Sequence, residues 1–333
     1  QIREMDVPFV KAPQDWRADV TFMADNVANL LRGCGKIVNV GHGLLSKGQY
    51  FTGRDIILRE NDSDLLCVPG VYHRDRLLKS GKIRIPVVAT GVPKLDPLFS
   101  PNCFSRNDLF KQANLDPTRK AVLYAPTFNI ELSAIPILWM RIAELVDENT
   151  YLIIKLHGST IREFCEAHME LASRHNNIFF VLQQDITPYL LLADVMVSDV
   201  SSAFMEFITL DKPVVLFNNP NRHTYVNYDP SDIEYAWRDE IGLQASTFEE
   251  TRDAVERSLK WPEEYSPSRR KYADLLLADR SGRASANVID ATEAMLDNRL
   301  DRFVAVGQRS MPVRSPDSIL INSSMIRPEA PSA

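Results

Sequence analysis

A chain of 333 residues with 45% hydrophobic and 25% charged side chains has the composition of a globular protein and the length for two cores. Its net charge of -6 lacks the basic surplus of a general nucleic-acid binder. The isolated Cys34, Cys67, Cys103 and Cys165 have neither zinc-knuckle nor redox spacing, and no apolar run reaches the roughly 18–20 residues of a bilayer span.

In chain order, a helix is predicted over 18–33, then strands at 36–41 (KIVNVG), 64–70 (DLLCVPG) and 85–91 (IPVVATG). A segment at 100–120 carries two prolines, little strand pattern and one short helix signal, and marks a division. Five strands follow, at 121–127, 151–158, 177–182, 194–199 and 212–218, with helices at 135–149, 161–175 and 187–193. Beyond 250 the pattern is helical. The strand runs are rich in Val, Ile and Leu and do not alternate, as in parallel strands buried on both faces. This rhythm predicts an α/β fold of two Rossmann-like lobes with parallel sheets. The expected bounds are 1–112, 113–300 and a disordered tail at 301–333. Only three strands precede the division and the chain begins at Gln1, so the first lobe reads as truncated.

Open α/β sheets bind ligands beyond the carboxyl ends of their strands. Five predicted strand ends carry small, polar or titratable residues: Gly41-His42-Gly43, Gly91 to Asp96, Pro126-Thr127-Phe128-Asn129, His157-Gly158-Ser159-Thr160 and Asp199-Val200-Ser201-Ser202. At the last of these, Ser201 or Asp199 can cap the following helix, worth about 1 kcal/mol. The same free amides and dipole can hold an anion, and energy does not separate the two readings. Along that helix Ala203, Phe204, Phe207 and Ile208 form an apolar stripe, and Ser202, Glu206 and Thr209 form the opposite face. A carboxylate one turn below a phosphate-binding hydroxyl suits ribose hydroxyls. His42, between two glycines, is poorly explained as core packing and suits a general base. His157 is either a site residue or a loop histidine bonded to backbone. His168 and His175 are expected to face solvent. No strand is followed by Gly-x-Gly-x-x-Gly, which argues against a dehydrogenase.

These motifs resemble the CDP-glycerol glycerophosphotransferase family, the teichoic-acid primases and polymerases of glycosyltransferase-B fold. The matching stretches are His42 to Lys47 (HGLLSK), Gly91 to Phe99 (GVPKLDPLF), Leu123 to Asn129 (LYAPTFN), Lys155 to Gly158 (KLHG), Asp185 to Glu206 and Ser281 to Ser285 (SGRAS). Lys94 and Asn129 stand where the family has arginines, Gly158 where it has proline and Val200 where it has tyrosine. The resemblance implies transfer of glycerol phosphate, or a similar polyol phosphate such as ribitol phosphate, from a CDP-activated donor to a hydroxyl of a cell-wall or capsular polymer, releasing CMP. It implies an acceptor-side first lobe and a donor-binding second lobe. His42 would be the general base and His157 would stabilise the pyrophosphate and leaving CMP. Ser201 and Ser202 would hold phosphate oxygens, with Asp199, Glu206, Lys94, Thr127, Asn129 and Lys155 around the donor and Gly43 and Lys47 on the acceptor side.

The nucleotide-activated donor is a substrate, and neither cofactor nor metal is expected. The acceptor would be a lipid-linked or polymeric glycan. The chain would be cytoplasmic and peripheral on the inner membrane face, with Arg74, Arg76, Lys79 and Lys82 as the best basic stretch. Two alternatives stay open: a glycosyltransferase or epimerase using a UDP-type sugar in the same interlobe cleft, and a non-catalytic nucleotide-binding scaffold.

Overall fold

The structure, a computed structural model, describes residues 17–24, 27–44, 51, 58–100, 103, 105–224 and 228–300, and the backbone of 325–326. The described chain divides into two units. Among the described residues, one holds those up to Cys103 and again Leu275–Leu300; the other holds Ser105–Asp274 and Met325–Ile326.

The first unit is built on a parallel sheet of β1 (Val20–Met23), β2 (Lys36–Asn39), β3 (Leu65–Val68) and β4 (Val87–Ala89), paired in that order. Successive strand residues face opposite sides of a sheet. Accordingly Val38, Leu65 and Cys67 pack with Val288 and Ala291, while Leu66 and Val68 pack with Phe51 and Leu77. The helix predicted over 18–33 is replaced by β1 and a 3-10 turn at Ala28–Leu30. Val20, Thr21 and Phe22 are β-branched or aromatic and favour a pleated surface. Gly35, at φ +87, closes the return to β2; a Cβ there would lie 2.0 Å from the Ala18 carbonyl oxygen.

The helix Ala284–Leu296 belongs to this first unit, although the expected bounds placed it in the second. Its first turn has no side-chain cap of its own. Instead Asp96, far away in sequence, accepts from the amides of Ala284 at 2.8 Å and Ser285 at 2.9 Å. Gly91, at φ +90, lies against the same turn, where a Cβ would meet that of Ala284 at 2.8 Å. The Gly91–Phe99 and Ser281–Ser285 motifs are thus two halves of one joint.

The second unit contains β5 (Lys120–Tyr124), β6 (Thr150–Ile154), β7 (Ile178–Val181), β8 (Val195–Ser198), β9 (Val214–Phe217) and β10 (Leu243–Ala245). They form a parallel sheet in the order β10-β9-β8-β5-β6-β7. Beside β7, Met325–Ile326 adds an antiparallel pair; the remainder of the expected tail lies outside the described residues. The chain winds outward from β5 to β7, then returns to the other flank of β5 and winds out to β10. The strand order therefore reverses between β5 and β8, the topological switch point where doubly wound sheets open a ligand crevice. β10 has only three residues and was not anticipated.

Predicted helices at 161–175 and 187–193 appear as Arg162–Ser173 and Thr187–Leu192. The one expected at 135–149 is a short turn, Ile135–Leu138, followed by a 3-10 segment, Trp139–Leu145. His168 is fully buried, contrary to expectation, with its ring stacked on Tyr124 and its Nδ1 2.7 Å from the Phe164 carbonyl. The helix Arg106–Gln112 joins this unit through Arg106, which donates to the carbonyls of Leu192, Pro117 and Arg119 and to Asp194.

Asp96→Ala should lower stability by about 1–2 kcal/mol in urea unfolding, because a cap built from two charge-assisted bonds is lost. Gly91→Ala should also destabilise, since it strains a positive φ and crowds Ala284.

Candidate active site

At the switch point the loops leaving β5 and β8 must separate to opposite faces of the sheet. Asp199, directly after β8, ties them together. Its Oδ1 accepts from the Thr127 amide at 2.7 Å and its Oδ2 from the Ala134 amide at 2.8 Å. Ser198 adds a bond to the Ala125 carbonyl at 2.7 Å. Two further side chains extend this brace. Arg238 donates to the carbonyls of Asp199 at 2.8 Å and Phe217 at 2.9 Å, which joins the ends of β8 and β9. Asn219 donates to the Ser133 carbonyl at 2.8 Å.

Asp199 is completely buried, and burial lifts its carboxyl to about 6 from an ordinary 3.8, against the opposing pull of the Ala134 and Thr127 amides and the Arg238 guanidinium. With both oxygens taken by backbone amides, it shapes the loops and does not face a ligand. Three other residues expected around the donor are also interior. Lys155 is 8% exposed and its Nζ is 3.0 Å from the Leu156 carbonyl. Thr127 is buried, and so is Glu206 at 3% exposed. The polar face expected on the helix Ser202–Ile208 is therefore no solvent face: this short helix is covered all round from Phe204 onward, and Thr209 turns back onto the Glu206 carbonyl.

Other residues do reach the surface at the carboxyl edge. Phe128 is 40% exposed and its ring lies 4.7 Å from that of His157, tilted 32°. His157 is exposed, with its Nδ1 accepting from the Ser159 amide at 3.0 Å. Asn129, Ser201 and Ser202 are half-buried; Asn129 accepts from the Glu131 amide, and Ser201 caps the following helix through the Ala203 amide at 3.3 Å. The capping reading of Ser201 thus holds in this structure.

In the first unit, His42 and Gly43 follow β2. Gly41 takes φ +62 and donates to the Asn39 side chain. His42 is exposed, with Nδ1 3.1 Å from the Ala24 carbonyl. Lys94, after β4, is half-exposed on the 3-10 turn Pro93–Leu95. Lys47 lies outside the described residues. A depression of about 840 Å³ lined by Arg257, Lys260 and Trp261 sits at the last turn of the helix Phe248–Lys260. That helix starts just after β10, so its far end lies at the amino edge of the second unit's sheet, away from the loops that leave β5 and β8.

The family model for CDP-glycerol:poly(glycerophosphate) glycerophosphotransferase matches residues 29–293. The chain belongs to this family. Among curated relatives, the teichoic acid poly(glycerol phosphate) polymerase of Bacillus subtilis is 24% identical over 255 residues, covering 71% of this chain and 32% of the relative. The teichoic acid poly(ribitol-phosphate) polymerase of Bacillus spizizenii is 30% identical over 143 residues, 40% of this chain and 22% of the relative. The chain thus spans about a third or less of the length of these family members. A solved structure of a variant of the wall teichoic acid polymerase TagF superposes with a TM-score of 0.67 at 16% identity, covering 85% of this chain and 74% of that one. TagF has also been solved after a soak with CDPG, at a TM-score of 0.66, 15% identity and coverage of 84% and 73%. The MnaA–UDP structure from S. aureus reaches 0.55 at 16% identity, covering 84% and 76%. These likenesses establish a glycosyltransferase-B fold for this family member.

Arg238 and Asn219 escaped the sequence reading. Asn219 follows β9 and the strand-end rule would have found it. Arg238 follows no strand and carries no local signal. Replacing Asp199 with Asn puts an NH2 against backbone donors and should cost about 1–3 kcal/mol. Because the folded chain binds the Asp199 proton more tightly than the unfolded chain, this group's contribution to stability falls as pH rises from about 4 to about 6. The deficit of Asp199→Asn relative to the parent, followed by urea midpoints across that range, should shrink with rising pH and level off above it.

Proposed function

We propose that the chain transfers glycerol phosphate, or a similar polyol phosphate, from a CDP-activated donor to a hydroxyl of a cell-wall or capsular polymer, with release of CMP. One observation carries the reading: the family match runs through residues 29–293, and the exposed motif residues within it stand just past strand carboxyl ends. The likeness to a poly(glycerol phosphate) polymerase and to TagF soaked with CDPG supports the donor class. Ribitol phosphate is the second reading, favoured by the 30% identity to a poly(ribitol-phosphate) polymerase.

In the reaction the acceptor oxygen bonds to the phosphorus that bears the polyol. The bond from that phosphorus to the bridging oxygen breaks, and CMP leaves with the electron pair. His42, in the acceptor-side unit, takes the hydroxyl proton. His157, in the donor-side unit, donates to the departing phosphate, and the Ser201-Ser202 turn, Asn129 and Lys94 add polar contacts to phosphate oxygens. Asp199, Thr127, Lys155 and Glu206 act from behind as positioning residues. Such catalysis depends on orientation and charge stabilisation more than on covalent intermediates.

The acceptor is read as a lipid-linked or polymeric glycan, reached from the cytoplasmic membrane face. No helix among the described residues is long and apolar enough to cross a membrane. The basic stretch offered for contact is narrower than the sequence suggested: Arg76 lies 4.5 Å over the Phe51 ring and Arg74 pairs with Asp75, while Lys79 and Leu78 are exposed.

Mass-resolved products from CDP-glycerol, CDP-ribitol or UDP-sugars with a short synthetic acceptor test the assignment. A CDP-polyol should yield extended acceptor and CMP, and His42→Ala or His157→Ala should cut turnover by about 10²–10⁴-fold. Transfer from UDP-sugars alone would replace this reading with glycosyl transfer.

A further inference from the structure

We infer that the fold holds His42 and His157 in opposite neutral tautomers, with the proton of His42 on Nδ1 and that of His157 on Nε2. The partners of the two Nδ1 atoms fix where each neutral ring carries its proton. His42 Nδ1 lies 3.1 Å from the Ala24 carbonyl oxygen. A carbonyl only accepts, so Nδ1 carries the hydrogen and the Nε2 of the neutral ring keeps a lone pair. His157 Nδ1 lies 3.0 Å from the Ser159 backbone nitrogen. An amide N–H only donates, so this Nδ1 is bare and the neutral ring carries its proton on Nε2.

Phe128 reinforces the second arrangement. Its ring lies against the imidazole at 4.7 Å and 32°, which restricts rotation about the terminal torsion that would take Nδ1 away from the amide. Phe128 and the Ser159 amide are accordingly positioning groups for His157.

The chemical consequence rests on the transferase reading. His42 presents an unprotonated Nε2, suited to take the proton of the attacking hydroxyl as the new O–P bond forms. His157 presents an Nε2–H, suited to donate to the oxygen that leaves with CMP. The two rings are then preset for opposite proton roles before any substrate arrives.

Imidazole nitrogen shifts from long-range ¹H–¹⁵N correlation on the ¹⁵N-labelled chain test the inference at about pH 8, above the ordinary histidine pKa of about 6.5. His42→Gln and His157→Gln assign the two resonance sets. His168, whose Nδ1 donates to the Phe164 carbonyl at 2.7 Å, supplies an internal reference for the Nδ1–H pattern. His42 should match His168 and His157 should show the reverse, each favoured roughly two- to tenfold by one ordinary hydrogen bond. Ser159→Pro, which removes the amide hydrogen, should erase the preference at His157 only, whereas Ser159→Ala should leave the spectrum unchanged. His42 protonated mainly on Nε2, or His157 mainly on Nδ1, would overturn the inference. Should the parent turn over no CDP-polyol, the functional reading fails while the spectra still decide the tautomers. Where turnover is present, Ser159→Pro should lower kcat about tenfold or more, with donor KM within about twofold.

Discussion

One buried carboxylate sets the shape of the carboxyl edge of the second unit's sheet. Strands β5 and β8 lie side by side, and their outgoing loops depart to opposite faces, which opens a crevice with no covalent link across it. Asp199 supplies that link by accepting amides from Thr127 and Ala134. A carboxylate in such a place is costly to bury unless its oxygens are satisfied. Arg238 and Asn219 carry the same brace on to β9 and to Ser133. Exposed Phe128 and half-buried Asn129, Ser201 and Ser202 inherit their positions from bonds made by neighbours that never reach the surface.

Asp96 in the first unit works by the same device. It too spends both oxygens on backbone amides, here those opening the helix Ala284–Leu296. Two of the family's acidic motif residues are thus architectural, and each fixes a loop by accepting from main chain remote in sequence. The exposed histidines stand apart from them. His42 and His157 each carry one identified main-chain partner on Nδ1, one a carbonyl and one an amide. The motifs therefore combine two layers, one that builds the strand-end loops and one that the loops present.

Much of the fold was legible because strands buried on both faces leave a strong apolar trace. Eight predicted strands correspond to β2–β9, and the helices at 161–175 and 187–193 appear close to their expected bounds. The failures share a cause. At 18–33, the spacing of Val20, Met23, Val27, Leu30 and Leu31 suits a helix while Val20 and Phe22 also suit a short strand, and only pairing with Lys36–Asn39 decides for β1. Beyond 250 a helical pattern was foreseen, but the docking of Ala284–Leu296 on Val38, Leu65 and Cys67 depends on sequence-distant contacts. His168 was expected to face solvent because it shares a predicted helix with His175 seven residues on, yet its ring stacks on Tyr124.

The candidate site divides in the same way. The sequence by itself determined that polar residues gather after strands, and local order suffices for this, since a strand end and its next few residues are adjacent along the chain. Which of them face outward was decided only by tertiary structure. Asp199, Lys155, Thr127 and Glu206 are chemically as suited to a phosphate or ribose as Ser201 or Asn129. Their burial follows from β5, β6, β8 and β9 standing side by side and from backbone amides brought there across 65 and 72 residues of chain. No local pattern encodes a partner at that separation, so the difference between a residue that builds the loop and one that the loop presents emerges only when the sheet has formed.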